Sequence, residues 1–176
     1  DFGWQAPGFD LPGTDGARHT LDSVRGPKGT LIIFMCNHCP YVKGALDRII
    51  ADARELQDLG IGVAAISSND PGSHPEDSFE NMARLAREKA FPFPYLYDAD
   101  QSVARAHGAV CTPDFFGFNA GDGLQYRGRL DSAGRGPAPE GTRRELVEAM
   151  RRVAETGQGP AEQTPSIGCS IKWAAA

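Results

Sequence analysis

Residues 31–44 read LIIFMCNHCPYVKG: five apolar residues run into two cysteines separated by Asn37 and His38, then Pro40 and an amphipathic stretch. The run from Thr30 to Met35 shows no polar alternation, which predicts a short strand buried on both faces. Beyond it, Val42, Leu46, Ile49, Ile50, Ala53, Leu56 and Leu59 recur at three-and-four spacing up to Gly60, the pattern of a helix with a glycine stop. Both thiols therefore stand at the join of strand and helix. Pro40 has no N–H to give, which is tolerated in a first turn but costs about 3 kcal/mol or more in a helix interior. The helix must begin near Cys36 or later.

Working outward, residues 6–25 place Asp15-Gly16 between two half-apolar segments, a hairpin signal because that dipeptide accepts the positive φ of tight turns. Residues 61–68, IGVAAISS, predict a second buried strand, and Asp70-Pro71-Gly72 a turn. Ser73 and Glu76 have the spacing of a capping box ahead of a helix with Phe79, Met82, Ala83 and Ala86 inward. This βαβα alternation is the signature of an α/β sheet. A third strand at 94–98 and a short helix over 99–107, closed by Gly108, follow. Residues 114–119 and 124–130 read as a hairpin, and 142–156 as a last helix with Leu146, Met150 and Val153 inward. Two segments resist the pattern: a Gly/Pro-rich loop at 131–141 and an irregular stretch from 157 that carries Cys169 and Trp173. The chain reads as one domain over 1–176, with a hairpin extension at 1–28 and a tail at 157–176.

Composition narrows the function. A net charge of −5 with no basic stripe argues against a nucleic-acid partner, and no apolar run approaches the ~20 residues of a membrane span. Four cysteines in 176 residues are too few and too unevenly spread for a disulfide-stapled mini-domain. A redox or metal role for the close pair is the sharper reading.

A Cys-X-X-Cys pair in the first turn of a helix has its Cα atoms at about the 5.5 Å a disulfide wants, and the first turn leaves amide donors unpaired. On this reading Cys36 leads the turn, has its thiolate stabilised and its pKa lowered, and attacks; Cys39, one turn inside, resolves. His38, when protonated, adds positive charge beside the Cys36 thiolate and so sets the redox poise. Asn37 is assigned nothing beyond tolerating the turn.

These features together, APGFDLPGTDGARHTLDSVRG, a buried strand into CNHCP, then GAVCTPDFFGFN and a GCSIKW ending, resemble the thioredoxin-fold redoxins, and within them the peroxiredoxin-like branch. The resemblance spans nearly the whole chain. It implies an α/β thioredoxin-like fold, a mixed central sheet flanked by helices, and thiol–disulfide exchange through a Cys36–Cys39 couple. It further implies a cis proline at Pro113, with Thr112 offering its backbone to an incoming thiol or peptide. The partners implied are protein or small-molecule thiols and disulfides, and peroxide, with no cofactor.

Departures from the family pattern carry information too. Thioredoxins have a buried carboxylate six residues before the first cysteine and a Trp directly before it; here those places hold Thr30 and Met35. The proton acceptor must then be another group, with Asp131 and Asp114 as candidates, or solvent. Peroxiredoxins carry Pro-X-X-X-Thr-X-X-Cys-Pro. Cys39-Pro40 falls on the peroxidatic place, but Cys36 replaces the Thr and Ile32 the Pro. The alternative function is therefore a thiol peroxidase with Cys39 peroxidatic and Cys36 resolving, helped by Arg129 if that side chain reaches the sulfur.

Cys111, two residues before Pro113, and Cys169 on the tail are read either as a second thiol pair or as inert buried thiols. His74 and His107 raise a metal-carrying alternative with Cys36 and Cys39, but zinc wants a second close ligand pair, which is missing, so no metal is assigned. His107 is expected at a helix C-terminus as a cation suited to the dipole. Trp4 and Trp173 are read as packing residues. The sequence favours the cytosol as compartment, with the periplasm as the other candidate.

Overall fold

A computed structural model describes residues 2–175; Asp1 and Ala176, the outermost residues of the expected domain, lie outside the described residues. The chain opens with an antiparallel hairpin, β1 (Asp10–Pro12) and β2 (Arg18–Thr20), whose turn is held by Asp15 accepting from the Ala17 amide at 3.0 Å. A short helix α1 (Leu21–Val24), boxed by Thr20 and Ser23, leads into β3 (Gly29–Phe34). Then come α2 (Pro40–Asp58), β4 (Ile61–Ser67), α3 (Phe79–Glu88), β5 (Tyr95–Tyr97), α4 (Ser102–His107), β6 (Cys111–Thr112), β7 (Asp114–Asn119), β8 (Leu124–Gly128), α5 (Glu145–Thr156) and β9 (Cys169–Ser170).

The sheet is mixed, in the order β5-β4-β3-β7-β8. β7 runs antiparallel between β3 and β8, with Phe34 opposite Asp114 and Phe116 opposite Arg127. On the other side β4 lies along β3, where the Met35 amide donates to Ile66 O at 3.0 Å, and β5 pairs parallel to β4. Every residue of β3 is buried, and its side chains alternate between two cores. Leu31, Ile33 and Met35 join α2 and α5 on one face; Ile32 and Phe34 meet Phe116, Phe118 and Val103 on the other. At about 1.5–3 kcal/mol per fully buried large apolar side chain, this strand is the centre of both cores.

Two glycines set close approaches. A methyl group on Gly117 would overlap Met150 Sδ, so α5 lies directly on β7; one on Gly44 would overlap the Arg135 carbonyl. The Gly/Pro-rich loop is consequently drawn onto α2, where Arg48 bonds Asp131 at 2.8 Å and the Gly136 and Gly134 carbonyls at 2.9 Å each.

Three local expectations are corrected. The Ser73–Glu76 box does not form: α3 begins at Phe79 with Ser78 as its N-cap, the Ser78 hydroxyl accepting from the Asn81 amide at 3.2 Å. Residues Pro75–Asp77 make a single 3₁₀ turn instead, which sends Asp77 into the interior. His107 is no exposed cation. It is buried among Trp4, Phe34, Phe116 and Phe118, its Nδ1 bonds Val103 O at 2.9 Å, and desolvation lowers its pKa to about 4. The tail is not wholly irregular, since β9 pairs with β6.

Candidate active site

The helix that follows the thiols begins one residue after them. Cys39 is the N-cap of α2, Pro40 is its first residue, and Cys36 stands in the loop before it. The expectation that Cys36 leads the first turn is therefore overturned. Proline is favoured at the first helical position, because its missing N–H is one the helix leaves unpaired anyway, and this fixes Cys39 as the cap.

The order of acidity is also the reverse of the expected one. The Cys36 thiol donates a hydrogen bond to the Cys39 sulfur, and that bond, against the opposing effect of burial, holds the Cys39 thiol well below its ordinary value. A bond from Cys169 and the Val42 amide act in the same sense. The amide is secondary, because the Cys39 side chain makes no well-aligned capping bond. Cys36 moves the opposite way: its proton is the one being shared, it is buried, and the Asp77 carboxylate disfavours a second negative charge. Neither sulfur-bearing side chain has exposed surface.

The cis Thr112–Pro113 peptide lies against both sulfurs. Thr112 Oγ1 is 3.5 Å from Cys36 Sγ, and Thr112 O is 3.5 Å from Cys39 Sγ. Beside Pro113 a cavity of about 210 Å³ is lined by Tyr41, Ala45, Phe115, Leu130 and Ile167.

Asp77 is the functional residue that the sequence did not disclose. Its Oδ1 accepts from the backbone amides of Asn37 at 2.8 Å and His38 at 3.3 Å, and its Oδ2 from Asn69 Nδ2 at 2.8 Å. The loop between the thiols is thus hung on one buried carboxylate. Asn37 has more than a passive place: its amide donates to Glu76 O at 3.0 Å, and its Oδ1 accepts from the Tyr95 hydroxyl at 2.9 Å. His38 Nδ1 lies close to Asp77 Oδ2, off the axis of a hydrogen bond, and its ring stacks on His74 with centroids 5.3 Å apart. Cys36, His38 and Asp77 each put one ligand-type atom within 4.8 Å of the others. Asp77 already accepts three N–H bonds, whereas His38 Nδ1 is buried without a hydrogen-bond partner.

The remaining candidates separate. Arg129 is paired with Glu145 through two bonds of 3.0 Å and is not free for a thiolate. Asp131 is bound to Arg48, and Asp114 to Arg127 at 3.4 Å; burial raises Asp114 to a pKa of about 6. Thr30, at the place where thioredoxins carry the carboxylate, is buried with its hydroxyl unpartnered. In the β6–β9 pairing Cys169 stands opposite Thr112 and Cys111 opposite Ser170. Neighbouring positions on a strand face opposite ways, so this register separates the two thiols that were read as a second pair. Cys111 turns to Pro113 O at 3.9 Å, and burial pushes its thiol up to about 12.

The model of the AhpC/TSA family matches residues 2–130. The chain belongs to the AhpC/TSA family. A solved structure of an uncharacterized conserved protein from Geobacillus kaustophilus is 42% identical, with a TM-score of 0.94 over all of this chain and 94% of that one. A hypothetical protein from Sinorhizobium meliloti 1021 is 36% identical, also with a TM-score of 0.94, over all of this chain and 96% of its own. The thioredoxin domain of a thiol-disulfide oxidoreductase from Bacteroides vulgatus is 14% identical, with a TM-score of 0.60, over 72% of this chain and 87% of that one. That likeness concerns the fold, which is thioredoxin-like in this AhpC/TSA member as expected. Comparison with curated proteins gave no match.

Proposed function

We propose that this AhpC/TSA member is a thiol–disulfide oxidoreductase with Cys36–Cys39 as its redox couple, Cys39 attacking and Cys36 resolving. One observation carries the reading: Cys36 and the α2 N-cap Cys39 both stand against the cis Thr112–Pro113 peptide, each sulfur 3.5 Å from an oxygen of Thr112. A thiolate is the nucleophile in such exchange, and a neighbour that donates to it keeps it ionised at neutral pH. Cys39 Sγ⁻ attacks one sulfur of a substrate disulfide and expels the other as a thiolate. Cys36, giving up its proton, then attacks Cys39 Sγ and expels the second. Two electrons pass from the pair to the substrate, and the protein is left with a 36–39 disulfide.

Asn37, His38 and Asp77 support this by fixing the loop, Pro40 by fixing the helix start, and Thr112 by touching both sulfurs. The test is substitution. Cys39→Ser abolishes exchange with a small disulfide, and Cys36→Ser stops the cycle with Cys39 held in a disulfide to a thiol other than Cys36. The reverse pattern would restore Cys36 as the attacking thiol.

A second reading has one observation in its favour: Cys39 caps α2 directly before Pro40, the peroxidatic place. Cys39 would reduce a peroxide, becoming a sulfenic acid, and condensation with Cys36 would release water and leave the same disulfide. The pairing of Arg129 with Glu145 weighs against it. Consumption of hydrogen peroxide with a dithiol reductant, measured against glutathione disulfide reduction, separates the two activities.

A further inference from the structure

The tail lies across the place where a substrate would meet the couple. β9 pairs antiparallel with β6, so Cys169 takes the position opposite Thr112 that an incoming extended chain would take. The approach is tight: a methyl group at Gly168 would overlap the Thr112 carbonyl. The strand is held from both ends. Before it, the Ser166 hydroxyl donates to Gly128 O at 2.7 Å. After it, the Ile171 amide donates to Val110 O at 2.9 Å, Ile171 is buried, and Lys172 is clamped by Asn69, Asp70 and Gln101. Cys169 packs against the cluster that holds Cys36 and Cys39, and the carbonyl of its register partner Thr112 is 3.5 Å from Cys39 Sγ. Among these three thiols Cys169 is the one with solvent contact, since Cys36 and Cys39 have none.

We propose that Cys169 is a third redox residue, the thiol that connects the buried Cys36–Cys39 couple to solvent through a Cys39–Cys169 disulfide. The inference rests on the couple proposed above. In the exchange step Cys36, as thiolate, attacks Cys39 Sγ of the 39–169 disulfide. The 39–169 bond breaks, the 36–39 bond forms, and the electron pair leaves on Cys169, which takes up the proton Cys36 released. No outside oxidant enters this step, and it runs in either direction. The incoming oxidising equivalent is a low-molecular-weight disulfide, because the tail fills the strand edge an extended polypeptide would need: the Cys169 thiolate attacks it and expels one small thiolate, and the Cys39 thiolate then attacks Cys169 Sγ and expels the other, forming the 39–169 bond.

The experiment oxidises reduced protein with glutathione disulfide, quenches with acid, alkylates, and maps the linkages by digestion and mass spectrometry. Cys36→Ser should accumulate an internal Cys39–Cys169 disulfide, and Cys169→Ser should retain the 36–39 bridge but form it at least about tenfold more slowly. Gly168→Ala, which displaces the strand without touching a sulfur, should cut the 39–169 linkage by a similar factor, since misplacing reacting atoms by about 1 Å can cost about 100-fold. If Cys36→Ser yields only a glutathionyl adduct on Cys39 with Cys169 fully alkylated, and Cys169→Ser oxidises at the wild-type rate, the third thiol is overturned while the couple stands. If the wild type forms neither a 36–39 nor a 39–169 linkage, the couple itself falls. Should Cys36→Ser fail to fold, the linkage ratio of wild type against Gly168→Ala decides the same question.

Discussion

The substitution Asp77→Asn removes the charge from the one carboxylate that holds the CNHC loop. Its oxygens accept three N–H groups, from Asn37, His38 and Asn69, in a residue with no exposed surface. Asparagine keeps one acceptor for the two backbone amides but sets an NH₂ against the Asn69 NH₂, losing a charge-assisted bond worth about 1.5–3 kcal/mol. The relief of no longer burying a charge offsets part of this, so a net loss of about 2 kcal/mol is expected. For a chain of this length that lowers Tm by roughly 4–8 °C. Asp77→Ala abandons all three donors, at about 1–3 kcal/mol each where water cannot replace the acceptor, and should cost at least twice as much. A second readout follows from charge. Asp77 raises the Cys36 pKa, so Asp77→Asn makes ionised thiols easier to hold and moves the couple toward the oxidising side. Thermal denaturation of the reduced variants, with a glutathione titration beside it, measures both. A Tm for Asp77→Ala within about 1 °C of wild type would mean the loop is not hung on this residue, and the reasoning fails.

Three further predictions follow. Gly44→Ala drives a methyl group into the Arg135 carbonyl and should detach the 131–141 loop, seen as faster proteolysis there and a stability loss of about 1–3 kcal/mol, the usual range for overpacking. His107 and Asp114 act oppositely on stability against pH. His107, depressed from 6.5 to about 4, contributes stability present above pH 6.5 and lost as pH falls through about 4; Asp114, raised from 3.8 to about 6, contributes stability present below pH 3.8 and lost as pH rises through about 6. At about 1.4 kcal/mol per unit, each amounts to about 3 kcal/mol, and the two nearly cancel in the wild type. Asp114→Asn should therefore expose a steep acid loss between pH 6.5 and 4, and His107→Phe a gain over the same range, both read from urea midpoints. Gly117→Ala meets Met150 Sδ and should loosen α5 from β7, lowering Tm, with Met150→Ala in the same chain recovering part of the loss.

How much of this was legible in the chain depends on range. Runs such as LIIF and IGVAAIS, with the three-and-four pattern of α2, are local signals, and β3, α2 and β4 lie close to where they were expected. Asp15-Gly16 marked the first hairpin, and Thr112-Pro113 marked the turn that meets the sulfurs. The polarity of the thiols was readable in principle. Pro40 at the first helical position makes Cys39 the cap, three residues beyond the place expected from Cys36 leading the turn. Asp77 carried no such signal, since its partners are Asn37, His38 and Asn69 and its place follows from a 3₁₀ turn folded back on the CNHC loop. His107 looked like a helix-end cation because nothing nearby in sequence announces the four aromatic rings that close over it. For Cys169 the sequence left a pairing with Cys111 and an inert buried thiol both open, and the β6–β9 register, which sets it opposite Thr112, is a long-range pairing that no local signal announces.

The central claim is that Cys39, not Cys36, is the thiolate of the reduced protein. Both side chains are shielded, so the measurement is NMR titration of the cysteine ¹³Cβ shifts in the reduced chain, which needs no reagent to reach the sulfur. The account predicts that Cys39 titrates well below the ordinary thiol value of about 8.5 and Cys36 above it. A lower midpoint for Cys36, or ordinary midpoints for both, would contradict it.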